Sequence, residues 1–361
     1  MMKIALDATP LTVPSGGVRR YTEELSLALA QAFPEDQFWL LCDRSFTAPF
    51  SRPNVKIGQG ARNMLERRWW SWGLQGEISR LGIDVFHGTD FAVPYLPLRP
   101  SVMTLHDLSP WMDPSWHDQA DRVRRRTPML LRLGLATMII THSEAVKRQA
   151  IERFRLSADR VAVVPLAANP AFHPAPAPSG ANTSPYLLYV GTLEPRKNIG
   201  LVLDLWRELR REHPLELILA GRRRADFPDI PPESGLHLLG LTPEEELPRL
   251  YSGAVACLYP SYYEGFGLPV LEAMQCGAVV MASNDPSIRE VAGDTAAGGA
   301  ILLDVRDRPA WLEALRAAIA QPNEMRAWRE RAITRAAEFS WSKTAKLTKA
   351  VYEQAIRRFR K

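Results

Sequence analysis

The sequence predicts an α/β protein of two doubly wound domains, each a parallel sheet flanked by helices. Three observations predict it. Short apolar runs alternate with longer amphipathic segments along the 361 residues; the alternation lapses once, in a proline-rich stretch; and it then starts again. Strands separated by helices need crossover connections, which make parallel sheets. The length also suits two domains better than one.

In the first half, strands are expected at 3–6, 37–41, 84–86, 102–105, 138–141 and 161–164. Each is a short apolar run, the pattern of a strand buried on both faces. Helices are expected at 18–32, 64–81 and 143–154, where apolar residues recur at helical spacing. Prolines at 165, 170, 174, 176, 178 and 185 then interrupt the pattern and mark a linker. Beyond it, strands are expected at 186–190, 215–220, 236–239, 254–258 and 278–282, with helices at 199–212, 244–251, 269–276 and 309–320. The final segment, Trp341 to Phe359, sets Leu347, Val351, Ala355 and Phe359 four residues apart, as an amphipathic helix does. The expected division is an N-terminal domain over 1–170, a linker over 171–185, a C-terminal domain over 186–340, and a helix over 341–361 that can pack back on the first domain. Ligands of such folds bind beyond the carboxyl ends of the strands, and two such domains facing across a cleft would bind there.

Composition narrows the class. With 46% hydrophobic and 24% charged residues the chain is neither disordered nor fibrous. A net charge of +5 favours anionic ligands or acidic lipid without singling out nucleic acid, and no nucleic-acid partner is expected. Cys42, Cys257 and Cys276 are odd in number and lack metal-ligand spacing, as suits free thiols in a reducing compartment. The opening run meets Asp7 and Pro10 too soon for the core of a signal peptide, and Arg132 interrupts the apolar stretch 129–140 well short of a membrane span. A cytoplasmic protein, at most bound to a membrane surface, is expected.

The most informative stretch runs from Pro260 to Met274. A strand ends, a loop carries Gly265 and Gly267 with Phe266 and Leu268, and Pro269 stands where the first turn of a helix tolerates it. Glycines let the backbone approach a ligand, and the unpaired N–H groups of a helix start suit a pyrophosphate. Glu264 precedes the helix and Glu272 lies inside it. Carboxylates on both sides of a phosphate site suit a ligand with hydroxyls at both ends, as in a nucleotide sugar. On the glycines alone, a capping Glu264 and a solvated Glu272 explain the pattern equally well.

The segment Glu264-Gly265-Phe266-Gly267-Leu268-Pro269-Val270-Leu271-Glu272-Ala273-Met274, in its strand–loop–helix context, closely resembles the signature of glycosyltransferase family 4. The resemblance implies the GT-B fold, two Rossmann-like domains, and transfer with retention of anomeric configuration. It implies that Glu264 contacts the donor sugar and Glu272 the ribose hydroxyls. It also places a cationic pair after the first strand of the second domain, where Gly191-Thr192-Leu193-Glu194-Pro195-Arg196-Lys197-Asn198 stands. Arg196 and Lys197 suit a diphosphate and its departure. Many family members have arginine directly after the glycine, where this chain has Thr192; Lys197 matches well, and Arg196 is shared with a mannosyltransferase-like subset.

In the first domain, Gly16 and Gly17 stand between the opening strand and a helix, and match the family's N-terminal glycine loop. They do not form Gly-x-Gly-x-x-Gly, so nicotinamide binding is not expected. His106-Asp107 ends a strand; the mannosyltransferase-like subset carries the same pair there, with the histidine on the donor sugar. His87-Gly88-Thr89-Asp90 is a weaker candidate, and Thr141-His142-Ser143-Glu144 reads as a helix cap at Ser143. Arg62, Arg67, Arg68, Trp69, Trp70 and Trp72, with the arginines at 122–126, allow two readings. Either the tryptophans pack in the core beneath solvated arginines, or the segment lies on an anionic membrane face.

The resemblance implies a metal-independent hexosyltransferase with no cofactor. Its donor would be a nucleotide diphosphate sugar, GDP-mannose favoured, and its acceptor a glycan or a lipid-linked molecule. Front-side attack by the acceptor hydroxyl, its proton passing to the donor phosphate, would retain configuration. The alternatives are a sugar-nucleotide epimerase of the same fold and a non-catalytic nucleotide-sugar binding subunit.

Overall fold

The computed structural model describes residues 1–13, 16–117, 120–176, 184–293 and 298–360. Its residues fall into two compact units: 1–112, 119–166 and 340–361 in the first, 113–118 and 167–339 in the second.

The first unit holds a seven-stranded sheet in the order β3-β2-β1-β4-β5-β6-β7. The strands are β1 (Lys3–Asp7), β2 (Gln37–Leu41), β3 (Val55–Ile57), β4 (Val85–Gly88), β5 (Ser101–Thr104), β6 (Met138–Thr141) and β7 (Val161–Val163), and every pairing is parallel. Its helices are α1 (Gly17–Ala32), α2 (Leu74–Leu81), α3 (Ser109–Met112), α4 (Asp121–Arg132) and α5 (Glu144–Phe154). Chain order reverses between β1 and β4, so the loops after these strands diverge and leave room for a ligand.

The second unit repeats the plan with six strands in the order β10-β9-β8-β11-β12-β13. They are β8 (Tyr186–Val190), β9 (Glu216–Ala220), β10 (Leu236–Gly240), β11 (Ala256–Tyr259), β12 (Val280–Ser283) and β13 (Ile301–Leu303), again all parallel. Helices α6 (Ile199–Leu209), α7 (Leu247–Gly253), α8 (Leu268–Gln275), α9 (Pro286–Ala292), α10 (Arg308–Ala320) and α11 (Pro322–Ala336) accompany them. Residues 167–176 belong to this unit: Phe172 is buried, its ring 6.0 Å from Tyr251, and Gln275 donates to the Asn169 and Phe172 carbonyls. Positions 177–183 of the linker stretch lie outside the described residues.

The closing helix, α12 (Trp341–Phe359), belongs to the first unit. Ser340 caps it by accepting from the Lys343 amide, and Tyr352 and the Lys349–Asp36 ion pair hold it on that unit.

Several elements depart from the sequence pattern. The helix expected from 64 begins later, as a π turn at Trp69–Gly73 that runs into α2. Asn63 accepts from the Glu66 amide and Glu66 from the Arg62 amide, so polar side chains close local turns in place of helical bonds. The turn comes back onto Gly73, where a Cβ would stand 2.1 Å from the Glu66 carbonyl oxygen. Strands β3 and β13 are three-residue edge strands, largely half-exposed or exposed, and leave too little period to be seen. Helix α4 was hidden by its arginines and by Pro128 in its interior.

Candidate active site

In the second unit the site forms where β8 and β11 lie side by side, Leu187 opposite Ala256 and Leu188 opposite Cys257. The loop after β8 carries Arg196 and Lys197 in a single 3₁₀ turn, Pro195–Lys197. Asn198 ends that turn at φ +55° and starts α6, and Tyr262 braces it by donating to its side-chain oxygen at 3.1 Å. The loop after β11 carries Glu264. Lys197 Nζ donates to Glu264 Oε1, and Arg196 Nη1 donates to Oε2 at 3.0 Å and to the Tyr263 carbonyl at 3.0 Å.

Glu264 is 8% exposed. Burial alone would raise its carboxyl, but Lys197 and then Arg196 outweigh it and hold the group down at about 2. It is therefore a carboxylate at every working pH. Asp285 is pushed the other way, to about 6, by burial and then by the Glu264 charge, although it caps α9 by accepting from Ser287 and Ile288.

The pair continues outward. Arg196 Nε lies 2.8 Å from Glu194 Oε1, and Arg224 Nη1 takes Glu194 Oε2 at 3.0 Å. Arg224 also donates to the Trp116 carbonyl at 2.5 Å, and the Trp116 ring stacks on Tyr263 at 6.2 Å and 22°. Gly191 packs against Gly221, where a Cβ would fall 1.9 Å from the Gly191 oxygen. Gly267 caps α8 at φ +98°, a left-handed conformation that glycine adopts freely. The helix start beyond it has Leu268 and Pro269 as its first residues, and the first N–H groups of a helix stand outside its hydrogen-bond ladder. Phe266 is buried, its ring 5.8 Å from Phe339. Glu272 lies within α8 at 1% exposure, with Tyr251 donating to Oε2 at 3.1 Å. It is a buried, hydrogen-bonded carboxylate rather than a solvated one.

In the first unit, polar residues gather at the carboxyl ends of β1, β4, β5 and β6. His106 is half-buried; its Nε2 is 2.7 Å from the Thr89 carbonyl and its Nδ1 is 3.1 Å from His142 Nε2. Tyr21 of α1 sets its ring edgewise, 5.0 Å from both imidazoles. A buried chain runs from Tyr352 through His87 and Thr104 to Tyr21, with steps of 2.7, 2.8 and 2.9 Å. Burial, and then the neighbouring His106, push His87 and His142 down to about 3, so both are neutral. Asp7 is raised to about 6 by burial despite two bonds from Thr9. Phe91 follows β4 at φ +51°, a strained position for an aromatic residue, with its ring 6.0 Å from His106. Gly16 caps α1 at φ +132°, and neither Gly16 nor Gly17 has an atom within 4 Å of an added Cβ; Ser15 lies outside the described residues.

Residues 15–172 match the family described as "Glycosyltransferase Family 4", and residues 175–335 match "Glycosyl transferases group 1". O-antigen chain mannosyltransferase B of Escherichia coli is 32% identical, over 98% of this chain and 100% of that protein. The chain belongs to glycosyltransferase family 4. Solved structures agree on the fold of this transferase. Sucrose-phosphate synthase from Thermosynechococcus elongatus superposes with a TM-score of 0.76 at 20% identity, covering 98% of this chain and 99% of that one. The Anabaena protein HepE, solved in complex with UDP and glucose, gives 0.69 at 16% identity, covering 98% and 100%. The fold is GT-B, and the protein is a mannosyltransferase-like glycosyltransferase enzyme.

Folding thus brings Glu264, Arg196 and Lys197 of the transferase into one cluster beside Gly267. His106 lies in a cluster of its own in the first unit. Sequence reasoning quoted Glu194 within the stretch after β8 without a role, and it missed Arg224 and Trp116, which carry no motif and reach the site through the loop after β9 and the turn Pro114–Trp116. It also assigned His142 only to a cap. Ser143 does cap α5, accepting from Val146, but His142 faces inward on His106.

Among the described residues no helix is long and apolar enough to cross a membrane, and no group of three or more histidine, cysteine or acidic side chains is arranged to hold a metal ion.

Proposed function

We propose that this transferase moves mannose, from GDP-mannose, onto a hydroxyl of a glycan or lipid-linked acceptor in the synthesis of a cell-envelope polysaccharide. One observation carries the reading: a buried carboxylate clamped by an arginine and a lysine at the strand ends where the second sheet reverses order. The clamp supplies what a departing nucleoside diphosphate needs. Lys197 and Arg196 exchange part of their bonding from Glu264 to the diphosphate, and the α8 terminus adds backbone N–H groups. Glu264, kept ionised, orients the sugar hydroxyls and supports positive charge developing at the anomeric carbon. The acceptor oxygen attacks from the leaving-group face; the C–O bond to phosphate breaks as the new one forms, and the acceptor proton passes to the phosphate oxygen. Glu272 takes the ribose hydroxyls. No metal or cofactor enters this scheme.

The choice of mannose rests on the mannosyltransferase relative and on His106-Asp107. A thermal-shift panel of nucleotide sugars followed by transfer assays tests it, since a ligand that binds only the folded form stabilises it. Stabilisation by GDP-mannose is expected. Stabilisation by UDP-glucose or UDP-N-acetylglucosamine without GDP-mannose would overturn the donor.

The acceptor side falls to the first unit, which we also propose to rest on the anionic inner face of a membrane. Trp69 is buried with Leu74, Ile78 and Phe86, and Trp70 packs partly against them, so two of the three tryptophans are core. Met64, Leu65 and Trp72 are 82%, 58% and 48% exposed among the exposed Arg62, Arg67 and Arg68. Apolar side chains beside cations suit the headgroup region. Liposome flotation that needs anionic lipid, weakens with salt and falls in Arg67→Glu/Arg68→Glu is expected. No association at low salt would remove the membrane from the proposal.

A further inference from the structure

The four ring nitrogens of His106 and His142 cannot be satisfied by two neutral rings. His106 Nε2 lies 2.7 Å from the Thr89 carbonyl and His142 Nδ1 lies 3.0 Å from the Val164 carbonyl. A carbonyl only accepts, so both nitrogens carry hydrogen. His106 Nδ1 then faces His142 Nε2 at 3.1 Å. With both rings neutral, two lone pairs point at one another. One more proton turns that contact into an N–H···N hydrogen bond, and the observed geometry accounts for three ring protons and one positive charge.

The surroundings decide where the charge rests. His142 is 2% exposed and burial favours its neutral form, whereas His106 is half-buried. The groups facing the pair fit this. Tyr21 of α1 is buried and un-ionised, and His87 of β4 is neutral. Asp90, after β4, is raised by burial but drawn down by His106 and by Arg126 of α4; Asp107 adds a further carboxylate acting on Asp90.

We propose that His142 is a positioning residue for His106, holding that imidazole as a cation through an Nδ1–H···Nε2 bond. With Nδ1–H taken by His142, Nε2–H is the donor left for an incoming oxygen, and it leaves Thr89 to reach one. A cationic donor of this kind bonds an incoming oxygen more strongly than a neutral imidazole does. The inference rests on the proposed role of His106 as a site residue. The arrangement is also conditional on pH: when the third proton leaves, the opposed lone pairs force one ring to turn or one carbonyl to lose its donor.

Nitrogen-15 imidazole spectra of the full chain, titrated with pH, test the dyad without substrate. His106 is expected to take up the third proton first, while His142 stays protonated on Nδ1 alone. Accepting a bond from a charged group favours its charged form, so His142→Phe should move the His106 midpoint to lower pH. His142→Gln, whose side-chain oxygen can accept the same bond, should restore most of it, and the alkaline limb of kcat against pH should follow. Uptake by His142 first, or a folded His142→Phe with an unmoved midpoint, would overturn the proposal; should that variant not fold, the wild-type titration decides alone. A moved midpoint in a protein that transfers no sugar would leave the dyad and remove the function. Normal transfer with an unmoved midpoint would remove only the dyad.

Discussion

The half-buried Lys197 and the buried Glu264 form an ion pair between two loops that are neighbours because β8 and β11 pair. Arg196 holds the other carboxylate oxygen at 3.0 Å and also lies 2.8 Å from Glu194, so both cations are paired before any ligand arrives. A diphosphate placed there can take over part of that bonding from donors the ion pairs already hold in place.

The clamp makes Glu264 structural as well as chemical. Glu264→Ala leaves Arg196 and Lys197 without their shared partner, and breaking a buried pair from one side costs about 3–5 kcal/mol. A lower unfolding temperature is expected together with a loss of turnover larger than the loss of nucleotide affinity. Glu264→Gln separates the two effects, because the amide keeps the shape and one acceptor while losing the charge. Equal donor affinity and equal rate in both variants would remove Glu264 from the site.

Lys197→Ala should leave the fold intact, since Arg196 still pairs with Glu264. Its expected cost is about 2–4 kcal/mol of transition-state stabilisation, the usual effect of removing one electrostatic donor. Single-turnover rates on folded protein give the comparison. An unchanged rate would make Lys197 only a partner of Glu264.

Glu272 should act on binding. A hydrogen bond to a charged group is worth about 1.5–3 kcal/mol, so Glu272→Ala is expected to weaken nucleotide affinity roughly 10- to 150-fold. Turnover at saturating donor should fall less than in Glu264→Ala. Titration calorimetry with the free nucleotide measures the first effect and excludes the role if affinity is unchanged.

Stability should fall with acid in a defined window. His87 and His142 are depressed from 6.5 to about 3 by burial, so the stability from their neutral forms is present above 6.5 and lost as pH falls toward 3. Glu264, at about 2, adds a loss below 4.5. Asp7 and Asp285 work oppositely: raised to about 6, their charged forms cost stability above that value, and the cost is relieved as pH falls toward 3.8. Asp7→Asn should therefore raise the unfolding temperature at pH 7.5 and lose that advantage by pH 4. Denaturant unfolding across this range reads both trends.

Gly221→Ala should be among the more damaging single changes that remove no charge. Its φ is +149° and the added carbon meets the Gly191 carbonyl at 1.9 Å, backbone against backbone. A loss at or above the usual range of about 0.5–3 kcal/mol is expected in thermal unfolding. A variant of wild-type stability would show that the loops after β8 and β9 separate freely.

The sequence by itself determined the parallel sheets, the restart of the pattern near Tyr186, and the glycine-bearing loop at Gly265 and Gly267. These are local: a buried parallel strand is a continuous apolar run, and a glycine-bearing turn between strand and helix is written in adjacent residues. It could not show β3 or β13, whose three residues have no period, nor that 62–68 would turn back on Gly73. Only the tertiary structure decided the rest. Glu264 binds two cations more than sixty positions away because β8 and β11 became neighbours. His142 became the partner of His106 because the ends of β5 and β6 adjoin, a relation set by strand order and burial that no sequence period records.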